Sequence, residues 1–132
     1  MDRLIIGVFG LAGSGKSTVF SLLTGVAPEP GGRRTEGASA TALVHDARVD
    51  ELARIFRPKK VTRASLTFTD MPGYDLAATR AEKSRVMQFI QNSDAILAVV
   101  RAFDNPAVAW SDGADTPASQ FDTIRTELLL RD

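Results

Sequence analysis

The eight residues Gly10-Leu11-Ala12-Gly13-Ser14-Gly15-Lys16-Ser17 decide the fold, because they match the pattern G-x-x-x-x-G-K-[ST] of a phosphate-binding loop. Residues 4–9 before them (LIIGVF) form an apolar run that is typical of a buried parallel strand. Residues 17–23 after them (STVFSLL) favour a helix. Strand, glycine-rich loop and helix follow in the order that such a loop requires, so the sequence predicts a site for nucleotide phosphates.

Each residue type in this loop has a separate predicted task. Gly10 and Gly15 permit backbone angles that other residues resist, so successive N–H groups can point at phosphate oxygens. The start of the helix adds the positive end of its dipole. Lys16 is expected to place its charge between the outer phosphates, and the Ser17 hydroxyl is expected to bind Mg²⁺. The predicted nucleotide-binding residues are therefore Gly10, Gly13, Ser14, Gly15, Lys16, Ser17 and Thr18.

The composition fits one soluble globular domain. The 132 residues are 44% hydrophobic and 24% charged, and a chain of this length buries about two thirds of its unfolded surface. Sixteen basic residues balance sixteen acidic ones, so the net charge favours neither DNA nor a membrane as a partner. The absence of cysteine excludes disulfides and thiolate metal sites and fits a cytoplasmic location. No stretch resembles a signal peptide or a membrane span.

Apolar periodicity divides the rest of the chain into alternating strands and helices. Further strands are expected at 38–45, 64–70 and 95–100, and further helices at 47–56, between a turn at 71–74 and about residue 91, and at 119–130. Residues 28–37 are rich in proline and glycine and are expected to form a mobile loop. The alternation predicts an α/β sheet with right-handed crossovers, whose ligands bind at the C-terminal ends of the strands.

Apolar side chains recur at helical spacing in two of these helices, and those of the helix 119–130 are candidate core residues. The recurring side chains are Val49, Leu52, Ala53 and Phe56 in the helix 47–56, and Phe121, Ile124 and Leu128 in the helix 119–130.

A second motif follows the strand 64–70. Residues 70–73 (DMPG) fit D-x-x-G. In nucleotide switches the Asp holds Mg²⁺ through water and the Gly amide bonds the γ-phosphate. Asp70 is therefore a predicted metal ligand, and Gly73 joins Lys16 as a predicted catalytic residue.

Four longer segments carry a family resemblance. Residues 46–53 (DARVDELA), 57–61 (RPKKV), 94–103 (DAILAVVRAF) and 126–130 (TELLL) are similar to the segments DPR-x-D-x-LA, KPKK-V, DAI-x-x-VVR-x-F and NTEL-x-L of the Obg-like ATPase (YchF-type) family. This family is a branch of the translation-factor-related P-loop GTPases. The similarity runs from Leu4 to Asp132.

The resemblance implies a P-loop NTPase three-layer sandwich with Ras-like G-domain topology. It implies that residues 28–37 are switch I, with Thr35 or alternatively Thr41 as a Mg²⁺ ligand, and that Asp70 opens switch II. The implied ligands are Mg²⁺ and ATP or GTP, and the implied partner of the full-length protein is the ribosome. Tyr74 follows D-x-x-G, where Ras-type enzymes have a glutamine that orients water, so slow hydrolysis is expected.

The chain departs from the family in ways that leave alternatives open. Residues 12–14 (AGS) replace the family's Pro-Asn-Val and are common in P-loop kinases, and neither N-K-x-D nor N-x-x-E is present to read the base. We therefore expect residues 1–132 to be the N-terminal part of a G domain, incomplete at its C-terminus, without the family's coiled-coil insertion, remaining G-domain strands and TGS-type domain. A small-molecule kinase and a non-catalytic nucleotide-binding interaction domain are the two alternatives.

Four other features receive a less specific interpretation. His45 is the only histidine and is expected on the surface. Residues 57–60 (RPKK) are expected to form a solvated turn; the alternative is that they contact RNA phosphates. Arg33 and Arg34 could neutralise the γ-phosphate. Trp110 is expected to pack against the core.

Overall fold

The computed structural model of the chain describes residues 3–27, 38–111 and 113–130. Strands and helices alternate through them in the order β1 (Leu4–Gly10), α1 (Lys16–Thr24), β2 (Ala38–Leu43), α2 (Ala47–Phe56), β3 (Ser65–Asp70), α3 (Arg80–Gln91), β4 (Ala95–Val99) and α4 (Pro117–Leu130). All eight predicted elements are present, and the α/β class is confirmed. The predicted mobile loop at 28–37 lies outside the described residues.

The four strands form one sheet in the order β2-β3-β1-β4. β1 is central and runs parallel to β3 and to β4, as the alternation of strands and helices predicts. β2 instead runs antiparallel to β3, which corrects the expectation of crossovers throughout. Its residues alternate between half-buried and exposed, the pattern of an edge strand with one face in solvent.

The sheet has an apolar core on each face, because successive side chains of β1 point in opposite directions. Val8 packs with Phe20 of α1 on one side, together with Phe68 and Val99. Phe9 faces the other side, where it joins a cluster with side chains of α3 and α4. The predicted three-layer arrangement of helix, sheet and helix follows from these two clusters.

Capping side chains mark the starts of three helices; at α4 the Ser119 N–H donates to Thr116 Oγ1 and the Thr116 N–H donates to Ser119 Oγ. Asp46 accepts the Arg48 N–H at the start of α2, and Thr79 and Glu82 form a reciprocal capping box at the start of α3. A hydrogen bond from the Arg48 guanidinium lowers the pKa of the Asp46 carboxyl. In contrast, α1 begins after Gly15, which has no side chain with which to cap it. The N-terminus of α1 is therefore open to an external anion.

Helical spacing identified one core residue wrongly, Phe121, and the apolar residues of α2 are also largely exposed. Phe121 is 51% exposed, Leu52 54% and Phe56 74%. No side chain of α2 is fully buried, whereas Ile124 of α4 is. Spacing finds the apolar stripe of a helix but not whether another element covers it. In the described ranges, no helix is both long enough and apolar enough to cross a bilayer.

The contrast between Phe20 and Phe56 predicts their effects on stability. Phe20 is 1% exposed inside a core cluster, so Phe20→Ala removes the packing of a whole ring and is expected to lower the free energy of unfolding by about 3–5 kcal/mol. Phe56→Ala, at a largely exposed ring, is expected to change it by no more than about 0.5 kcal/mol. Urea unfolding followed by circular dichroism measures both, and equal effects would contradict the assigned core.

Candidate functional site

The phosphate loop joins the end of β1 to the start of α1, and its glycines have two different tasks. Gly13 and Gly15 have φ angles of 76° and 90°, in the left-handed region that favours glycine. Gly10 lies outside that region, which corrects the prediction for it. A Cβ atom on Gly10 would lie 2.6 Å from Ser14 Oγ and 2.8 Å from the Val99 carbonyl oxygen. Gly10 is thus required for close packing, and Gly13 and Gly15 for the backbone turn.

The backbone N–H groups of the loop are largely available for a ligand. Ser14 is an exception to the prediction, because its N–H donates to the Leu11 carbonyl at 3.1 Å. Its hydroxyl is buried against Gly10 and bonds no described residue. Within the described part of the chain, no hydrogen bond is made by the remaining predicted N–H donors, which belong to Gly13, Gly15, Lys16, Ser17 and Thr18.

A buried ion pair joins the two predicted motifs. Lys16 Nζ donates a hydrogen bond to Asp70 Oδ1, and both residues are less than 10% exposed. The parallel pairing of β1 with β3 causes this meeting, since it sets Asp70 beside Val8, two residues before the loop begins. Charges that are this buried persist only when they are paired. The predicted phosphate ligand and the predicted Mg²⁺ ligand therefore lie in direct contact.

The D-x-x-G segment continues along the phosphate loop after Asp70. The Tyr74 N–H donates to the Gly10 carbonyl at 2.9 Å, and the Ala12 N–H donates to the Tyr74 carbonyl at 3.1 Å. These two bonds hold Gly73 beside Ala12. Gly73 and residues 11–18 line one cavity of about 360 Å³, so this cavity contains predicted residues from both motifs.

The Tyr74 side chain points away from that cavity. It is 1% exposed, its ring lies 5.5 Å from the ring of Phe9, and its hydroxyl donates to Glu127 Oε2 of α4 at 2.6 Å. A phenol held in this way presents no polar atom to the phosphate loop. The structure thus places Tyr74 in the core rather than beside a reacting phosphate.

The donor set suits Mg²⁺ bound together with a nucleotide. Ser17 is exposed at the start of α1 and Asp70 lies beside Lys16. Among the residues that the structure describes, no three His, Cys, Asp or Glu side chains group together around a metal position. Mg²⁺ is commonly held by one or two protein oxygens plus substrate phosphates, and these two side chains fit that mode. Thr35, Arg33 and Arg34 lie outside the described residues, so their roles stay predictions.

A larger groove, of about 860 Å³, lies between α3 and α4, but its chemistry differs. Its lining is apolar or uncharged, with Met87, Ile96 and Leu128 among its residues. It contains no charged group that could bind a phosphate. His45, the surface residue of the sequence analysis, also lies away from the loop, and its side chain is 85% exposed.

Sequence reasoning missed a second wall of the site, formed by the loop that follows β4. A Cβ atom on Gly13 would lie 2.6 Å from Val108 Cγ1, and one on Gly15 would lie 3.5 Å from the Phe103 ring. Phe103 and Val108 therefore lie directly beside the glycines of the phosphate loop. Phe103 ends the family-like segment 94–103, but that segment does not indicate a contact with the phosphate loop, and the only local signal near Val108 was the Asn105-Pro106 turn.

The fold and the loop together define a P-loop nucleotide-binding domain, and comparisons with known proteins agree. Residues 5–128 match the family of 50S ribosome-binding GTPases. The ribosome-binding ATPase YchF of Pasteurella multocida is 34% identical over 131 residues, which cover 96% of this chain and 36% of that protein. The Bacillus subtilis protein of the same name is 31% identical over 134 residues, which cover 98% of this chain and 37% of that one.

A solved structure gives the same result. The Schizosaccharomyces pombe YchF GTPase superposes with a TM-score of 0.71 at 28% identity, over all of this chain and 36% of that one. The chain belongs to the 50S ribosome-binding GTPase family, and it is similar to the nucleotide-binding part of YchF proteins, which confirms the resemblance seen in the sequence. It spans just over a third of the length of the curated relatives it matches.

Substitution of Gly13 tests the geometry of the loop. Gly13→Ala forces a side chain into the left-handed region and against Val108, so the loop must shift and we expect nucleotide affinity to fall by about tenfold or more. Gly25→Ala is the matched control, because Gly25 has a φ of 72° but no atom within 4 Å of the added carbon. It should lower stability by a similar amount and leave affinity unchanged. Isothermal titration with Mg²⁺-ATP and Mg²⁺-GTP measures both, and equal affinities for the two variants would contradict the loop geometry.

Proposed function

We propose that this domain binds ATP or GTP together with Mg²⁺, hydrolyses it slowly and acts as a nucleotide-dependent switch. The observation that carries the proposal is the meeting of Lys16, Asp70 and Gly73 at the open N-terminus of α1. These are the groups that phosphoryl transfer requires: a cation for the phosphates, a carboxylate for the metal and a backbone amide for the γ-phosphate.

Each group would act on a different part of the nucleotide. The free N–H groups of Gly13 and of residues 15–18, together with the helix dipole, would hold the phosphates. Lys16 would exchange its contact with Asp70 for phosphate oxygens, and Ser17 and Asp70 would hold Mg²⁺, which neutralises negative charge on those oxygens. The Gly73 N–H would bond the γ-phosphate. Backbone N–H groups and the charges of Lys16 and Mg²⁺ would thus make most of the contacts with the phosphates.

The position of Tyr74 supports slow hydrolysis. Its hydroxyl bonds Glu127 on the core side, so the residue after D-x-x-G offers no side-chain group to orient the attacking water. A glutamine does this work in Ras-type enzymes. Water would be oriented here by the backbone, by another side chain, by a cation or by a partner.

The same residue supports a switch. Its backbone is bonded to the phosphate loop through Gly10 and Ala12, and its side chain is bonded to α4 through Glu127. A γ-phosphate that bound the Gly73 N–H and shifted Gly73 would therefore also shift Tyr74, which is bonded to both the phosphate loop and α4. Segments that order around a γ-phosphate are the usual basis of nucleotide switches.

The relatives support the choice of nucleotide and partner only in outline. They are named as a ribosome-binding ATPase and as a GTPase, so both ATP and GTP are proposed as ligands. We propose the ribosome as a partner of the full-length protein and the cytoplasm as its location, because the named relatives bind ribosomes. The exposed residues 57–60 would suit RNA phosphates in such a complex.

The kinase alternative has only residues 12–14 (AGS) of the phosphate loop in its favour. It requires an arginine-bearing lid and an acceptor pocket after Asp70. The described segment there instead packs Met71 and Tyr74 into the core. A non-catalytic interaction domain remains the contrasting outcome of the binding experiment below.

Removal of the Lys16 charge tests nucleotide binding. Lys16→Ala deletes a charge-assisted hydrogen bond to phosphate, which is worth about 1.5–3 kcal/mol and corresponds to a loss of about 10- to 150-fold in affinity. Lys59→Ala, at an exposed position outside the loop, is the control and should bind like wild type. Isothermal titration of the wild type and both variants with Mg²⁺-ATP and Mg²⁺-GTP measures the effect, and circular dichroism checks that each is folded.

Two results of that titration would contradict the proposal. If Lys16→Ala binds as tightly as wild type, the assignment of the phosphate loop fails. If the wild type binds neither nucleotide, the domain is an interaction module rather than a switch.

Removal of one hydroxyl tests the passive role of Tyr74. Tyr74→Phe keeps the buried ring and loses the bond to Glu127, so single-turnover hydrolysis should stay within about threefold of wild type. The free energy of unfolding should fall by about 1–3 kcal/mol, because a partly buried carboxylate loses its partner. A tenfold or larger loss of rate at unchanged nucleotide affinity would show that the phenol takes part in hydrolysis.

A further inference from the structure

Arg101 is the largest of the fully buried side chains in the described residues, and it lies in the loop that follows β4. Its guanidinium donates to three backbone carbonyls of that loop: Phe103 at 2.9 Å, Ala109 at 3.2 Å and Asn105 at 3.4 Å. No carboxylate of a described residue forms an ion pair with it. Carbonyl dipoles therefore satisfy a buried charge that would otherwise be costly.

Two aromatic rings complete the surroundings of the guanidinium. Arg101 Cζ lies 4.1 Å from the centre of the Trp110 ring and 5.2 Å from that of Phe103. Both distances fall within the range of cation–π attraction. A planar guanidinium can stack on rings while its edge donates several hydrogen bonds, which the ammonium of lysine cannot do.

Arg101 also fixes the base of the loop to α4. Its backbone N–H donates to Gln120 Oε1 at 2.8 Å, and Gln120 is itself 1% exposed. The far part of the loop has no such support, since residues 102–109 are all exposed. Arg101 therefore connects this exposed segment to the body of the domain, because its side chain binds carbonyls of the loop and its backbone N–H binds α4.

The segment that Arg101 orders is the one beside the phosphate loop. Phe103 and Val108 are the residues nearest to the open sides of Gly15 and Gly13. Arg101 binds the carbonyl of Phe103 directly and the carbonyl of Ala109, next to Val108. Arg101 thus sets the position of this wall, which flanks the glycines of the phosphate loop next to the cavity lined by residues 11–18 and Gly73.

We propose that Arg101 is a positioning residue for nucleotide binding, which it serves by holding Phe103 and Val108 against the phosphate loop. The inference rests on the proposed function, because it assumes that the phosphate loop binds a nucleotide. A wall that is ordered before binding lowers the entropy lost when the nucleotide arrives. Lysine keeps the charge, but it has neither the several N–H donors of a planar guanidinium nor a flat face that stacks on aromatic rings. It should therefore not support the loop as arginine does.

The experiment compares Arg101→Lys with Arg125→Lys, an exposed arginine on α4 that serves as the matched control. Affinities for Mg²⁺-ATP and Mg²⁺-GTP are measured by isothermal titration, well below the melting temperature of each protein. Trp110 is the only tryptophan, so quenching of its fluorescence by acrylamide without nucleotide reports on the loop itself. Arg101→Lys should bind about tenfold more weakly and be quenched more strongly, while Arg125→Lys should match wild type in both.

The two measurements separate the possible failures. Equal nucleotide affinity for Arg101→Lys and wild type overturns the positioning role and leaves the proposed function standing. Weaker affinity with unchanged quenching also overturns it, because the loop would then not have moved. A wild type that binds neither nucleotide overturns the proposed function and the positioning role together.

A second pair of variants covers the case in which Arg101→Lys does not fold. Trp110 is only half-buried, so substitutions there leave the core intact. Trp110→Phe keeps an aromatic face for the guanidinium and should retain affinity within about threefold, whereas Trp110→Ala removes that face and should lose affinity by about tenfold. Equal affinities for these two variants would overturn the proposal.

Discussion

The buried contact between Lys16 and Asp70 constrains the rest of the site. The two residues are 54 positions apart in the chain, and charges buried this deeply persist only when they are paired. Their meeting requires the parallel pairing of β1 with β3 in one register, because a shift of one residue would turn Asp70 to the other face of the sheet. The strand register, the start of α1 and the path of the D-x-x-G segment are thus determined together.

Local sequence was sufficient for the elements and for the phosphate side of the site. Apolar runs and helical spacing located all eight elements, and the two glycine motifs identified residues that the structure brings into one cavity. These features depend on neighbours in the chain or on strand ends, both of which periodicity can reveal. The resemblance to the YchF-type family added the topology, which the comparisons with known proteins confirm.

The features that the sequence did not reveal all depend on contacts between distant segments. Helical spacing could not tell the buried Ile124 from the exposed Phe121 in the same helix. The contact of Phe103 and Val108 with the phosphate loop was not visible in the sequence either, since it follows from where β4 ends beside that loop. The hydrogen bond between Tyr74 and Glu127 could not be predicted either, because it joins two residues that are distant in the chain.

The exposed apolar side chains of α2 have a consequence for the colloidal behaviour of this domain. Leu52, Ile55 and Phe56 are all more than half exposed on one short helix, and a chain with zero formal net charge at pH 7 has little long-range repulsion to keep copies apart. In concentrated solution near neutral pH, copies of the domain should therefore attract one another through α2. Salts that strengthen apolar contacts, such as sulfate, should increase that attraction, and moderate urea should weaken it before the two cores that surround the sheet are disturbed.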